Sequence, residues 1–165
     1  MSTCRVMLRL GGYVMFAIAL AHLVMFFAIT QVAGVLGMPV WAGKMLAEGW
    51  VGWARLFLMI AGVAAFVSLL GLYGLSGAGR IRRLPLLRSG LLCTGAAFLL
   101  HGLFDDGFGL VWRLGDLGRL AAEGNPRVFL GLVPLTTLTL GLLYLMGTIG
   151  LWSALAPDKV AAPGP

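Results

Sequence analysis

The stretch Gly77-Ala78-Gly79-Arg80-Ile81-Arg82-Arg83-Leu84-Pro85-Leu86-Leu87-Arg88 lies at the midpoint of the chain and carries four of its twelve basic residues. Long apolar segments run into it and out of it. Clustered arginines in a short loop between membrane spans stay on the cytoplasmic side of a bilayer. The stretch therefore predicts a cytoplasmic loop, in which Arg80, Arg82, Arg83 and Arg88 set the orientation of the other segments.

The composition is that of an integral membrane protein. Of the 165 residues, 60% are hydrophobic and only 11% are charged, and the mean hydropathy is +0.98. A soluble chain of this length keeps a large part of its surface in water, which such a composition cannot provide. We therefore expect residues 1–165 to form a single transmembrane domain.

Working outward from the loop, the chain contains four predominantly apolar runs, and a span needs about 20 such residues. The first run is too long for the core of a signal peptide, which has about 7 to 15 residues. Pro134 is expected to kink the last run. The predicted fold is all-α, with four transmembrane helices in two hairpins over about 11–35, 56–76, 86–104 and 128–156.

Residues 37–53 are predicted to lie at the outer interface. They hold three of the five Trp residues, and the indole ring favours headgroup level because it buries its ring and keeps its N–H wet. Lys44 and Glu48 lie one turn apart there, so we expect them on the exposed side of a short helix.

Residues 105–125 form the second outer segment. Apolar residues recur there at helical spacing, which predicts an amphipathic helix on the outer membrane surface. Charged residues three or four apart, such as Arg119 and Glu123, are expected to pair on its polar side.

The charge distribution supports this orientation. The inner segments hold seven basic residues and one acidic residue, and the outer segments hold five of each, so the net charge of +6 arises on one face. Both termini are therefore predicted to be cytoplasmic. The excess follows from orientation and does not indicate a nucleic-acid partner.

His22 is an ionisable residue near the middle of the first span, where such residues are costly and often functional. As a ligand it could bind haem, a metal or a quinone, or relay protons. As a structural residue it would be a neutral imidazole bonded to a neighbouring helix, with Tyr144 among the candidate partners. Both interpretations remain open from the sequence.

His101 lies one turn before Asp105, near the outer end of the third span. An imidazole and a carboxylate at this spacing can pair, which is a structural role. Alternatively, His101, Asp105 and Asp106 could form an outward-facing polar site for a small ligand.

Motifs for enzymatic chemistry are absent from the sequence: there is no His-Glu-x-x-His, no Cys-x-x-Cys and no phosphate loop. We therefore expect a non-enzymatic accessory, assembly or interaction protein without a cofactor or metal; haem or quinone at His22 is the alternative. Small residues such as Ala61 with Ala65 and Ala64 with Ser68 permit close helix contacts. The expected partners are the lipid bilayer and either a second copy, giving a homo-oligomer, or another membrane protein.

The run from Gly71 to Arg88 resembles a segment of small, uncharacterised four-span inner-membrane proteins of bacteria. The resemblance covers about eighteen residues and implies a location in the bacterial cytoplasmic membrane, with no established activity. In size and span number the chain is also similar to the DoxX-like proteins. Neither resemblance carries functional residues over to this sequence.

Overall fold

The computed structural model describes residues 2–28, 40–105, 118–119, 122–123 and 133–156, and these residues contain no strand. The helices are α1 (Ser2–Phe27), α2 (Val40–Ala47), α3 (Trp50–Gly77), α4 (Leu87–Leu100), which continues as a π-helical turn (His101–Asp105), and α5 (Val133–Gly150).

Three helical segments are long and apolar enough to cross a membrane: Thr3–Phe27, Trp50–Gly77 and Val133–Gly150. The apolar helix over Leu87–Leu103 is shorter and extends about 26 Å at 1.5 Å per residue. The expectation of a helical chain with long apolar helices is therefore confirmed for the part of the chain that the structure describes.

The helix bounds differ from the predicted spans. α1 begins at Ser2 and ends at Phe27, so it contains Arg5 and Arg9, and α3 begins at Trp50 and contains Arg55. The helices therefore include charged residues at their ends, whereas the predicted spans were drawn from the uncharged runs alone. Pro134 is the second described residue of α5, and the residues before Val133 lie outside the described part of the chain, so the kink at Pro134 stays a prediction.

The four longer helices form a ring in which α1 contacts α3 and α5, and α4 also contacts both. Neighbouring helices run antiparallel. Leu8 lies beside both Gly77 and Gly147, whereas Gly12 lies beside Gly71. The core follows from this arrangement and includes Leu8, Met15, Leu91, Leu140 and Tyr144.

Glycine allows the backbones of α1 and α3 to meet directly. A Cβ atom at Gly71 would lie 3.0 Å from the carbonyl oxygen of Gly12, and one at Gly74 would lie 2.9 Å from that of Leu8. Small residues are the usual way for membrane helices to approach this closely. Of the alanine and serine pairs singled out in the sequence, only Ala64 is buried, and Ala65 is exposed.

The contacts of α5 are equally close. A Cβ atom at Gly141 would lie 2.7 Å from the backbone nitrogen of Leu99 in α4. On the side towards α1, the ring of Tyr144 lies over Gly11, and its hydroxyl donates to the carbonyl oxygen of Leu70 in α3 at 2.9 Å. Tyr144 therefore ties three helices together.

The loop between α3 and α4 has a defined conformation. α3 ends in a Schellman motif, in which Gly79 has a φ of 72° and Arg80 N–H donates to the carbonyl oxygen of Leu75. The buried Ser76 hydroxyl donates to the carbonyl of Arg82 at 3.1 Å and accepts from Leu84 N–H at 2.9 Å. These bonds hold the arginine loop against the end of α3.

The turn after α5, residues 151–156, meets this loop. Arg83 Nη2 donates to the carbonyl oxygens of Leu155 and Ala156, and Arg88 Nη2 donates to that of Trp152. We call this end of the ring, with the loop 78–86 and the turn 151–156, the basic end.

An aromatic cluster joins α1 to α3 at the opposite end, which we call the aromatic end. Phe26 contacts Trp53 and Phe57 edge-to-face, with centroid distances of 5.9 and 5.2 Å. Nearby, the carboxylate of Glu48 pairs with Arg55 at 2.7 Å, and Lys44 and Glu48 are both exposed, as predicted.

Candidate functional site

An apolar groove of about 420 Å³ runs between α3 and α4. On the α3 side it is lined by Phe66, Leu70 and Tyr73, and on the α4 side by Cys93, Thr94, Ala97, Phe98 and His101. Towards the basic end the groove stops where the ring of Tyr73 lies against Gly90. Among the described residues, the ring of helices is therefore closed by glycine contacts on its other sides and open along this one.

The polar groups in the groove wall are bonded locally. Thr94 Oγ1 donates to the carbonyl oxygen of Gly90 at 2.7 Å, and the Tyr73 hydroxyl donates to that of Pro85 at 3.2 Å. A molecule lying between them meets mainly apolar side chains. Such a wall selects for hydrocarbon rather than for a polar substrate.

His101 lies at the end of the groove nearer the aromatic end. It is exposed and begins the π-helical turn that follows α4. π-helical turns inside helices occur frequently at functional sites. The next residue, Gly102, contacts Leu138 and Thr137 of α5, so the turn that presents His101 is anchored to the ring.

The side chains of the two acids predicted to accompany His101 lie outside the described residues. Asp105 ends the π-helical turn, but its side chain lies outside the described residues, as does the whole of Asp106. Most of the predicted amphipathic segment 105–125 also lies outside them. Within it, Arg119 and Glu123 form the predicted pair, with a nitrogen–oxygen distance of 3.8 Å.

His22 is half-buried, and its Nδ1 atom lies 2.8 Å from the carbonyl oxygen of Ile18, one turn earlier in α1. The neighbouring-helix partner proposed for it, Tyr144, bonds Leu70 instead. His22 does not line the groove. Its imidazole is thus held by its own helix and is not joined to Tyr144.

The two histidines also lie at different heights. Gly11 lies beside Tyr144, and Gly102 lies beside Leu138. Counting along antiparallel helices, His22 is level with residue 133 and His101 with residue 139, an offset of about 9 Å at 1.5 Å per residue. A single iron bound from both sides needs ligands at one height, so this arrangement does not favour a shared haem. Among the described residues, no group of three or more His, Cys, Asp or Glu side chains could hold a metal.

The loop arginines lie together at the basic end. Arg80 and Arg82 are exposed, and the Arg88 guanidinium lies over the Trp152 ring, with its central carbon 4.7 Å from the ring centroid. Arg82, Arg83 and Arg88 line a hollow of about 720 Å³ between the loop and residue 155. We call this the basic hollow.

Sequence reasoning identified His101 and the arginines but missed the groove. In the sequence the available signal was a series of small residues about one turn apart, Gly90, Thr94 and Ala97, with Cys93 between them. The structure shows that Cys93 is exposed. A run of small residues alone does not show which neighbouring helix leaves it uncovered.

Comparisons with protein-family models, with curated proteins and with solved structures found no match for this chain.

Proposed function

We propose that the protein is a four-span protein of the bacterial inner membrane that acts by binding rather than by catalysis. In this proposal it is an accessory protein that holds a single-chain amphiphile, with its hydrocarbon tail in the α3–α4 groove and its polar head at His101. The observation that carries the proposal is the groove itself, apolar along its length and ended by an imidazole.

Several features support four spans with both ends of the chain in the cytoplasm. α4 and its π-helical turn lie alongside α5 from Gly95 to Gly102, so the shorter apolar helix shares the height of a longer one. The arginine loop, the start of α1 and the turn 151–156 all lie at the basic end. Positive charge collected at one end favours a cytoplasmic location for that end.

The size of the groove supports a small ligand rather than a partner helix. Binding sites for small molecules have volumes of about 300 to 1,000 Å³, and the groove has about 420 Å³. A helix with its side chains is about 10 to 12 Å across and would cover α3 and α4 without entering between Phe66 and Phe98. A single hydrocarbon chain fits the narrow shape better.

The redox alternative has less support. The bond from Nδ1 to Ile18 leaves Nε2 of His22 available, but His22 lies outside the groove, so a haem or quinone there would not use the cavity between α3 and α4. A quinone head at His101 would remain compatible with the proposed groove. The proposal therefore retains quinones as one class of amphiphile and moves them from His22 to His101.

Cys93 provides a reporter for the experiment because it is exposed and lines the groove. In a Cys4→Ser background, the rate of maleimide labelling of Cys93 would be measured in detergent with added oleic acid or decylubiquinone. We expect at least one of these amphiphiles to protect Cys93 and to raise the thermal midpoint of the protein. Protein extracted with hexane to remove bound lipid, and measured without added amphiphile, is the reference for both the labelling rate and the thermal midpoint.

The matched variants are Ala97→Phe, which fills the groove, and Ala65→Phe, which places the same ring at an exposed position of α3 outside it. Protection should be lost in Ala97→Phe and retained in Ala65→Phe. Equal protection in both, or none in the unmodified protein, would refute the groove as a binding site. A stoichiometric Soret band lost in His22→Ala would establish the redox module instead.

A further inference from the structure

We infer that the basic hollow is a second site, which binds the phosphate group of an anionic two-chain phospholipid. The hollow is walled by Arg82, Arg83 and Arg88, with the Ser89 hydroxyl at its edge. Arginine binds phosphate through paired N–H donors in a fixed plane. The inference does not depend on a ligand in the α3–α4 groove, whose wall residue Tyr73 contacts Pro85 of the hollow.

Three arginines give the wall of the hollow a positive charge. The acidic side chains that the structure describes, Glu48 and Glu123, belong to the segments predicted to lie at the other side of the membrane. In the inner segments the sequence offers a single acid, Asp158, against seven basic residues. Basic pockets at the ends of membrane helices are typical binding sites for anionic lipid headgroups.

Arg88 adds evidence that an anion is part of this site. Its guanidinium is fixed by the Trp152 ring and by the carbonyl oxygen of Trp152. Its Nε atom is buried and has no hydrogen-bond partner in the described part of the chain. Buried donors are nearly always bonded, so one without a protein partner indicates a water or an ion that completes the site.

The apolar part of the hollow favours a lipid over free phosphate. Leu84, Leu87 and Leu155 share its wall with the arginines. At its rim Leu86 adopts a left-handed conformation with a φ of 52°, and its side chain is 78% exposed. A non-glycine residue in this conformation is strained. At the membrane surface the exposed leucine would lie among the acyl chains of a lipid whose phosphate contacts the arginines.

The test is the binding of phosphatidylglycerol to the purified full-length protein in neutral detergent, followed by native mass spectrometry and by the thermal midpoint. Phosphatidylcholine with the same acyl chains and inorganic phosphate are the comparison ligands. We expect phosphatidylglycerol to remain bound and to raise the midpoint, and the other two to do neither. Equal retention of the two lipids would overturn the inference, as would a full effect of inorganic phosphate alone.

Two variants locate the site. Arg82→Gln removes an exposed charge from the hollow and should weaken phosphatidylglycerol binding about fivefold, whereas Lys44→Gln removes one exposed charge near the aromatic end and should not. Leu86→Gly relieves the left-handed strain and should therefore fold well, while still weakening lipid binding. Unchanged binding in both Arg82→Gln and Leu86→Gly would place the lipid elsewhere and refute the site. Labelling of Cys93 should be unaffected by either variant, so failure here is distinguishable from failure of the groove.

Discussion

At Gly74 the backbones of α1 and α3 lie close together because glycine has no Cβ atom. An added Cβ would lie 2.9 Å from the carbonyl oxygen of Leu8 and 3.0 Å from the Cα atom of Gly12. Backbone atoms in packed helices cannot move aside as a flexible side chain can. Glycine at this position is therefore required by the contact between α1 and α3. An added Cβ at Gly62 of the same helix would meet no other described part of the chain within 4 Å.

We expect Gly74→Ala to destabilise the protein by about 1 to 3 kcal/mol, because overpacking of a close contact separates the two helices. Gly62→Ala is the matched control, since it introduces the same methyl group in the same helix without a neighbour. Thermal unfolding in mild detergent would measure the difference. A midpoint in Gly74→Ala equal to that of Gly62→Ala would show that α1 and α3 are not in backbone contact.

Side-chain partners were the least predictable feature at this scale. The sequence offered Tyr144 as a partner of His22, whereas the structure bonds Tyr144 to Leu70. The pairing of Glu48 with Arg55 was not predicted. Helical periodicity gives neighbours within one helix. It does not give the residue at which a helix begins or ends. Arg55 pairs with Glu48 because α3 already begins at Trp50, before the uncharged run.

At the scale of elements, the loop between α3 and α4 depends on Ser76. This one hydroxyl bonds two residues of the loop, accepting from Leu84 N–H and donating to the carbonyl of Arg82. The sequence predicted the loop and its arginines. It did not predict the hydrogen bonds of Ser76, because the sequence does not distinguish a serine that bonds a loop from any other small residue in the last turn of an apolar helix.

Ser76→Ala should leave Leu84 N–H without a partner and loosen the loop by about 1 to 3 kcal/mol. Trypsin cleaves after exposed arginines, so cleavage at Arg80 and Arg82 should become about tenfold faster if it follows loop opening. Ser68→Ala, a half-buried position farther inside α3, is the control. An unchanged cleavage pattern would mean that the Schellman motif alone holds the loop.

Helix existence was predictable, and helix contacts were not. The apolar runs correctly indicated α1, α3 and α5 as long apolar helices, because lipid requires a long uninterrupted hydrophobic surface. The close contacts were missed: attention to alanine pairs overlooked Gly71, Gly74 and Gly77, which follow one another at intervals of three residues. In a sequence with 25 glycines, composition alone does not identify those that touch another backbone.

For the whole molecule, the orientation in the membrane is the property most open to test. Reporter fusions after Arg83 and after Pro165 should read cytoplasmic, and fusions after Gly43 and after Arg119 should read outer, because the arginine loop is retained inside. Replacing Arg80, Arg82 and Arg83 together by glutamine should scramble these signals. An outer reading at the loop of the unmodified protein would invert the proposed topology.

The ring arrangement also constrains the biogenesis of the protein. α5 leaves the ribosome after the other three long helices, yet it supplies the contacts that join α4 to α1, through Gly141 against Leu99 and Tyr144 over Gly11. Until then α1 and α3 can pair, while α4 meets α3 only along the groove side. A nascent chain arrested before α5 would therefore leave uncovered the faces of α1 and α4 around Gly11 and Gly95, which membrane proteases and insertases would encounter.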